Sequence, residues 1–325
     1  MRWLAILCCG LLAGIVQAAT PVSIEQGSFR FVPLDDQKDT PARYRLSERD
    51  FTFELEHKND LPAIGVSVYR LRFPSPVVSE TPENNTVHAE YYRPMGKGPF
   101  PAVIVLDITG GNQMLSRHIA TYLAQEGVAG LFVQMAYYGP RRPPGSKLRL
   151  MSPNISHTVA AVTQTVLDMR VAAAWLASRP EVDADRLGIT GTSLGSFISA
   201  LSGAMEPRLR KVCVLLGGGG FVDGYTNHPL VRPYATLWSA LGGNLNGLRK
   251  LINPVDPLTY AENLKKRKLL ILAASQDEIV PPSMARWLWE SSGKQQIHWY
   301  NAGHYTAVLY LADALERVLH HFKNP

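Results

Sequence analysis

Cysteine is scarce: the 325 residues contain three. Cys8 and Cys9 lie in an apolar N-terminal segment, which leaves Cys213 with no partner for an internal disulfide, so the core must hold the fold. Cys213 sits in Val212-Cys213-Val214-Leu215-Leu216, the setting of a small buried hydrophobe rather than a reactive thiol. Strong charge of one sign is also missing. Lysine and arginine number 33 against 27 aspartates and glutamates, and no basic-aromatic run offers a nucleic-acid groove. No H-E-x-x-H or paired Cys–His spacing is present, so no metal is expected, and no other cofactor is implied. Gly217-Gly218-Gly219-Gly220 lacks the lysine and serine of a phosphate loop and reads as a flexible loop. The 26 glycines and 23 prolines follow no period, which excludes collagen-like and repeat arrays. Apolar residues, by contrast, make up 46% of the chain, enough for a sizeable core.

The N-terminus carries an apolar run of 14 residues, Trp3–Val16, after Arg2. At about 1.5 Å per residue it is too short to span a bilayer. With Val16 and Ala18 at the −3 and −1 positions, residues 1–18 read as an export signal cleaved after Ala18, an uncleaved anchor being the alternative. Leu7 before Cys8 is not the small residue of a lipobox. The mature protein is then expected to be exported, periplasmic or secreted, with no membrane span. Asn84-Asn85-Thr86 and Asn154-Ile155-Ser156 match glycosylation acceptors.

Residues 19–86 read as an N-terminal extension with edge strands. Phe51–Leu55 and Val66–Leu71 alternate with period two, as antiparallel strands do. From residue 87 to 325 strands alternate with helices. Val103–Leu106, Ala129–Val133, Leu187–Thr190, Val212–Leu216, Leu269–Leu272 and Gln296–Tyr300 predict strands. Ser116–Gln125, Ile155–Ala177, Leu194–Met205, Met284–Ser291 and Tyr305–Phe322 predict helices. Continuous apolar strands between helices imply an α/β fold, a mostly parallel central sheet with helices on both faces. Residues 217–265 have no strand signal and read as a lid inserted over the sheet's carboxyl edge. Its Phe221, Tyr225, Tyr234 and Trp238 suit an apolar or aromatic group, or pack the lid onto the body.

The chemistry concentrates in three loops. Leu187–Thr190 runs into Gly191-Thr192-Ser193-Leu194-Gly195, a G-x-S-x-G sequence between a strand and a helix. Such a turn exposes the Ser193 hydroxyl and needs glycine on either side, where a β-carbon would collide. A serine hydroxyl attacks poorly unless a base takes its proton. Of nine histidines, His304 lies on a loop after the last strand and before the final helix. The imidazole in turn needs a carboxylate to hold its tautomer. Asp277 follows Leu269–Leu272 one strand earlier; Glu278 and Asp256 are its rivals. Arg141 and Arg142 read as a solvated loop, with anion binding as the alternative.

The order Ser193, Asp277, His304, together with Leu106-Asp107-Ile108-Thr109-Gly110-Gly111 after an early strand, resembles the α/β-hydrolase fold family from about Val87 to Phe322. The resemblance implies an oxyanion hole from the N–H groups of Leu194 and Thr109. Asp107-Ile108 stands where that family often has His-Gly. Asp183-Ala184-Asp185-Arg186 before the elbow is similar to the dienelactone-hydrolase and acetyl-xylan-esterase-like branch, with Ser193 where true dienelactone hydrolases carry cysteine. Pro101-Ala102-Val103 with Ala136-Tyr137-Tyr138-Gly139 also resembles bile-acid-CoA acyltransferases and acyl-CoA thioesterases, and makes Tyr137 and Tyr138 substrate-binding candidates. The expected activity is hydrolysis of a small-molecule carboxylic ester through an acyl-enzyme. A thioesterase or peptidase with the same residues, and a binding protein on the same scaffold, are the alternatives.

Overall fold

Alternation and continuous apolar runs lead to two kinds of strand. The computed structural model describes residues 23–324 apart from positions 111, 227, 229–231, 233–235, 237–239 and 241. The export-signal segment 1–18 and its cleavage point, Gly111, and the lid residues Tyr234 and Trp238 lie outside the described residues. Strands β1 (Ile24–Phe31), β2 (Arg49–Leu61), β3 (Val66–Pro74) and β4 (Thr86–Pro94) pair antiparallel. In β2 the side chains of Phe51, Phe53 and Leu55 are buried while Asp50 and Thr52 are exposed, the half-buried pattern of an antiparallel strand.

Strands β5 (Phe100–Leu106), β6 (Ala129–Val133), β7 (Val182–Thr192), β8 (Leu209–Leu215), β9 (Lys268–Ala274) and β10 (Gln296–Tyr300) pair parallel. Every residue of β6 is buried, as a strand covered on both faces requires. One sheet contains both sets, in the order β1-β2-β3-β4-β6-β5-β7-β8-β9-β10. The sheet is therefore mixed, with β4 joining the halves by antiparallel pairing to β6.

Helices follow in chain order: α1 (Met114–Gln125), α2 (Ile155–Ala177), α3 (Leu194–Met205), α4 (Phe221–Thr226), α5 (Leu245–Ile252), α6 (Ala261–Leu264), α7 (Pro282–Ser291) and α8 (Leu311–Lys323). Apolar side chains of α1 and α8 pack on one face of the sheet, and those of α2 and α3 on the other. The final helical stretch opens with a 3₁₀ segment, Thr306–Tyr310, before α8. Between β8 and β9 the described residues hold short helices and 3₁₀ turns and no strand. No helix among the described residues is long and apolar enough to cross a membrane.

Residues 23–86 share the core of the rest. β3 and β4 pair from Val66↔Pro94 to Pro74↔Thr86. The fully buried ring of Trp175 on α2 meets Phe53 of β2 edge-on at 6.0 Å and Tyr91 of β4 at 5.2 Å. Edge-to-face aromatic pairs add to burial, so the N-terminal strands and the α/β layers rest on one helix. Cys213 is buried in β8, and the burial pushes its thiol up to about 12. Of the two glycosylation-like asparagines, Asn84 is fully buried and donates to Gln164 at 2.7 Å. Asn154 caps α2 by accepting from the His157 N–H.

Candidate active site

The carboxyl ends of β5, β7, β9 and β10 open into the loops that hold Thr109, Ser193, Asp277 and His304. At the end of β7 the chain turns through Ser193, with φ 53° and ψ −115°, straight into α3. A side chain with positive φ is strained, and the surroundings must hold it there. The two flanking glycines make this possible. A β-carbon on Gly191 would lie 2.4 Å from the Gly195 backbone, and one on Gly195 would lie 2.5 Å from the Asp107 carbonyl oxygen. The Ser193 N–H donates to the Leu215 carbonyl at 2.9 Å, and the Ser196 hydroxyl donates to the Ser193 carbonyl at 2.6 Å. Both bonds pin the elbow and leave the Ser193 side chain to face outward.

His304 reaches across from the β10 loop. Its Nε2 lies 3.1 Å from Ser193 Oγ, and its Nδ1 lies 2.8 Å from Asp277 Oδ2. A carboxylate can only accept, so Nδ1 carries the proton and Nε2 turns its lone pair to the serine. Asp277 is held in turn. Its Oδ1 accepts from the N–H groups of Ile279 at 2.9 Å and Val280 at 2.7 Å. One carboxylate thus orients the ring with one oxygen and its own loop with the other.

The rival acids have different work. Glu278 Oε2 accepts the backbone N–H of His304 at 2.8 Å, and that bond holds its carboxyl below the usual range. It steadies the loop, not the ring. Asp256 accepts from the N–H groups of Gly220, Phe221 and Leu258 at 2.8, 2.6 and 2.9 Å. Burial raises its pKa, and its position ties the start of α4 to the base of the insertion. Neither contact could be read from spacing, because each joins segments far apart in the chain.

Leu194, as the first residue of α3, has an N–H with no acceptor inside the helix. It borders a cavity of about 400 Å³. Thr109 borders both this cavity and a second of about 510 Å³. Asp107 before it is buried and accepts from the Ser116 hydroxyl at 2.8 Å, tying the loop to the first turn of α1. At its far end, Gln113 and Gln134 exchange amide hydrogen bonds of 2.8 and 2.9 Å.

Tyr137 and Tyr138 line neither cavity. The Tyr137 N–H donates to Asn84 at 3.1 Å and its ring packs on His157. Tyr138 is buried, and burial raises its hydroxyl while a backbone hydrogen bond from Gly110 opposes that shift. Arg141 is neither solvated nor open to an anion. It pairs with Asp168 at 2.8 Å, both fully buried, and donates to the carbonyls of Gln134 and Asn84. Removing either partner would strand a charge in the core. Phe221 and Tyr225 do line the smaller cavity. Ile279, beside Asp277, borders both cavities; nothing in its local sequence announces that role. Among the described residues, no group of three or more His, Cys, Asp or Glu is placed to hold a metal ion.

Solved structures similar to this chain include acetyl xylan esterase 1 from Thermoanaerobacterium sp. JW/SL YS485, at TM-score 0.65 and 22% identity over 83% of this chain and 88% of that one. Acetyl xylan esterase from Paenibacillus sp. R4 is similar at TM-score 0.63 and 18% identity, over 83% and 88%. A putative dienelactone hydrolase from Klebsiella pneumoniae subsp. pneumoniae MGH 78578 is similar at 0.54 and 20%, over 79% and 99%. At these identities the likeness is one of fold. Two curated relatives from Mycobacterium tuberculosis, both described as uncharacterized proteins, are 29% identical over 160 residues, 45% of this chain and 34% of theirs. The match thus spans about a third of the length of those relatives. The family described as alpha/beta hydrolase domain containing 18 matches residues 54–246, from β2 through the Ser193 elbow into the insertion, more than half of the chain, and the protein belongs to this family of alpha/beta hydrolases.

Proposed function

We propose that the protein is a serine hydrolase that cleaves carboxylic esters through an acyl-enzyme on Ser193. The observation that carries the reading is the single line of hydrogen bonds from Ser193 Oγ through His304 to Asp277. Ser193 Oγ attacks the acyl carbon while His304 Nε2 takes its proton. The N–H of Leu194 and that of Thr109 receive the oxyanion, worth about 3–4 kcal/mol per well-placed donor. The imidazolium returns the proton to the leaving alcohol as the C–O bond breaks. Water then gives a proton to His304 and its hydroxide oxygen to the acyl carbon, and Ser193 is released with its proton restored. Asp277 stabilises the imidazolium throughout and stays ionised.

The test is hydrolysis of p-nitrophenyl esters, acetyl to palmitoyl, by the protein and by Ser193→Ala, beside labelling by a fluorophosphonate. Hydrolysis and labelling should both vanish in Ser193→Ala, with a loss of at least about a thousandfold. A variant that keeps activity within tenfold of the parent removes Ser193 from the mechanism. The mature enzyme then lies outside the cytoplasm, on the strength of residues 1–18. N-terminal sequencing of protein from the producing cell should begin at Ala19; a chain that retains residues 1–18 in the cytoplasm overturns that placement.

A further inference from the structure

Ser193 stands between two cavities. The larger, about 510 Å³, runs beneath His304 toward α8 and is lined by residues such as Leu115, Leu272 and Leu311. The smaller, about 400 Å³, runs the other way, between α3 and the insertion, past Phe197, Phe221 and Val255. Both volumes fall in the usual range for small-molecule sites. Thr109, Ser193 and Ile279 border both, so the nucleophile is the shared floor and Ile279 the shared wall.

Neither lining contains an aspartate, glutamate, lysine or arginine. The undescribed positions of the insertion carry none of these residue types either. Three of the wall hydroxyls already donate elsewhere: Tyr300 to Asp313 at 2.7 Å, Thr158 to the Ser152 carbonyl at 3.0 Å, Thr226 to the Val222 carbonyl at 2.7 Å. A sugar or a phosphorylated group brought here would lose hydration with few partners in return. An alkyl or aryl group gains by burial, at about fourfold in binding per methylene. The openings are apolar too, with Tyr305 71% and Val308 63% exposed at the larger cavity and Met151 49% exposed at the smaller.

We infer that the substrate is an ester apolar on both sides of the scissile bond, with the acyl group in one cavity and the alcohol in the other. This deepens the esterase reading above and rests on it. It departs from an acetylated polysaccharide, which needs a small acyl pocket and a polar groove.

Fluorophosphonate labelling of Ser193 reads the nucleophile alone. An ester matrix then reads the cavities: acyl chains from acetyl to dodecanoyl, each on methanol, hexanol and a phenol, beside acetylated xylo-oligosaccharides. The expected result is kcat/KM rising about fourfold per methylene in both arms until each cavity fills, with the best two-armed ester at least a hundredfold above the acetylated sugar. Ala307→Phe narrows the larger cavity and Val222→Phe the smaller. Each should abolish the length gain in one arm by tenfold or more and spare the other arm, with labelling retained; Ala307→Leu and Val222→Leu serve where the phenylalanine variants do not fold. A labelled enzyme whose gain lies in one arm only, that prefers the acetylated sugar, or whose two variants shorten the same arm overturns the inference and leaves the esterase reading standing. No labelling and no hydrolysis of any ester overturns both.

Discussion

Replacing Asp277 by asparagine tests the proposed mechanism at its most specific point. The carboxylate accepts three hydrogen bonds: Ile279 and Val280 on Oδ1 and His304 Nδ1 on Oδ2. An asparagine has one acceptor oxygen. Two backbone bonds at about 1 kcal/mol each outweigh one, so the amide oxygen stays with the loop and the NH₂ group faces Nδ1. An NH₂ only donates, so Nδ1 becomes an acceptor and the ring proton moves to Nε2. That nitrogen can then no longer accept from Ser193. A wrong tautomer with intact geometry costs about 10⁴ in kcat in a serine triad, or about 5.5 kcal/mol at about 1.36 kcal/mol per decade. KM should change little, because Asp277 lines neither cavity. The thermal midpoint should stay within about 4 °C, since the loop keeps its bonds and the change costs less than about 1 kcal/mol. The assay is kcat and KM on p-nitrophenyl butyrate with a parallel melting curve. Glu278→Gln, which still offers an oxygen to the His304 N–H, should lose less than tenfold. A loss under tenfold in Asp277→Asn, or an equal loss in Glu278→Gln, would refute the assignment of the ring-orienting acid.

Other outcomes follow from the packing. Gly195→Ala puts a β-carbon 2.5 Å from the Asp107 oxygen and 2.7 Å from the Leu106 oxygen; urea unfolding should show a loss of about 3 kcal/mol, the upper part of the overpacking range. Cys213, with its thiol raised to about 12 by burial, should resist iodoacetamide for hours in the native protein and react at once in denaturant. His88 and His321 are both lowered to about 4, chiefly by burial. Since their unfolded-state values lie near 6.5, the unfolded chain binds protons that the folded one refuses between about pH 6.5 and 4. Stability should therefore fall as pH drops through that window and level off below it for these two groups. His88→Gln with His321→Gln should flatten the decline in urea midpoint, and an unchanged slope would remove both histidines from the acid response.

The buried polar groups around the site have a shared direction. Arg141 binds Asp168 on α2 and two carbonyls, one of them at Gln134. Gln134 reaches Gln113 at the end of the loop that begins with Asp107, and Asp107 binds Ser116 on α1. The Thr109 backbone is thereby held at both ends by side chains that line neither cavity.

Much of the candidate site was legible along the chain because its constraints are local. A nucleophile elbow needs small residues within two positions of Ser193, and a strand before and a helix after it. Continuous apolar runs marked the parallel strands, and the glycine-flanked turn marked the start of α3. The histidine could be chosen from nine by its place after the last strand. Tertiary structure decided what depends on distant partners. It turned Asp277 to the ring and Glu278 to the backbone, although the two are neighbours, because a loop's side chains diverge according to what stands opposite. It drew residues 23–94 into the same sheet through β4, buried Arg141 against Asp168, and buried Tyr137 and Tyr138 outside both cavities. It also made the two cavities, whose walls come from segments as far apart as Thr109 and Leu315. Spacing along the chain records which residues can share a helix face or a strand. The space between elements is set only when they pack.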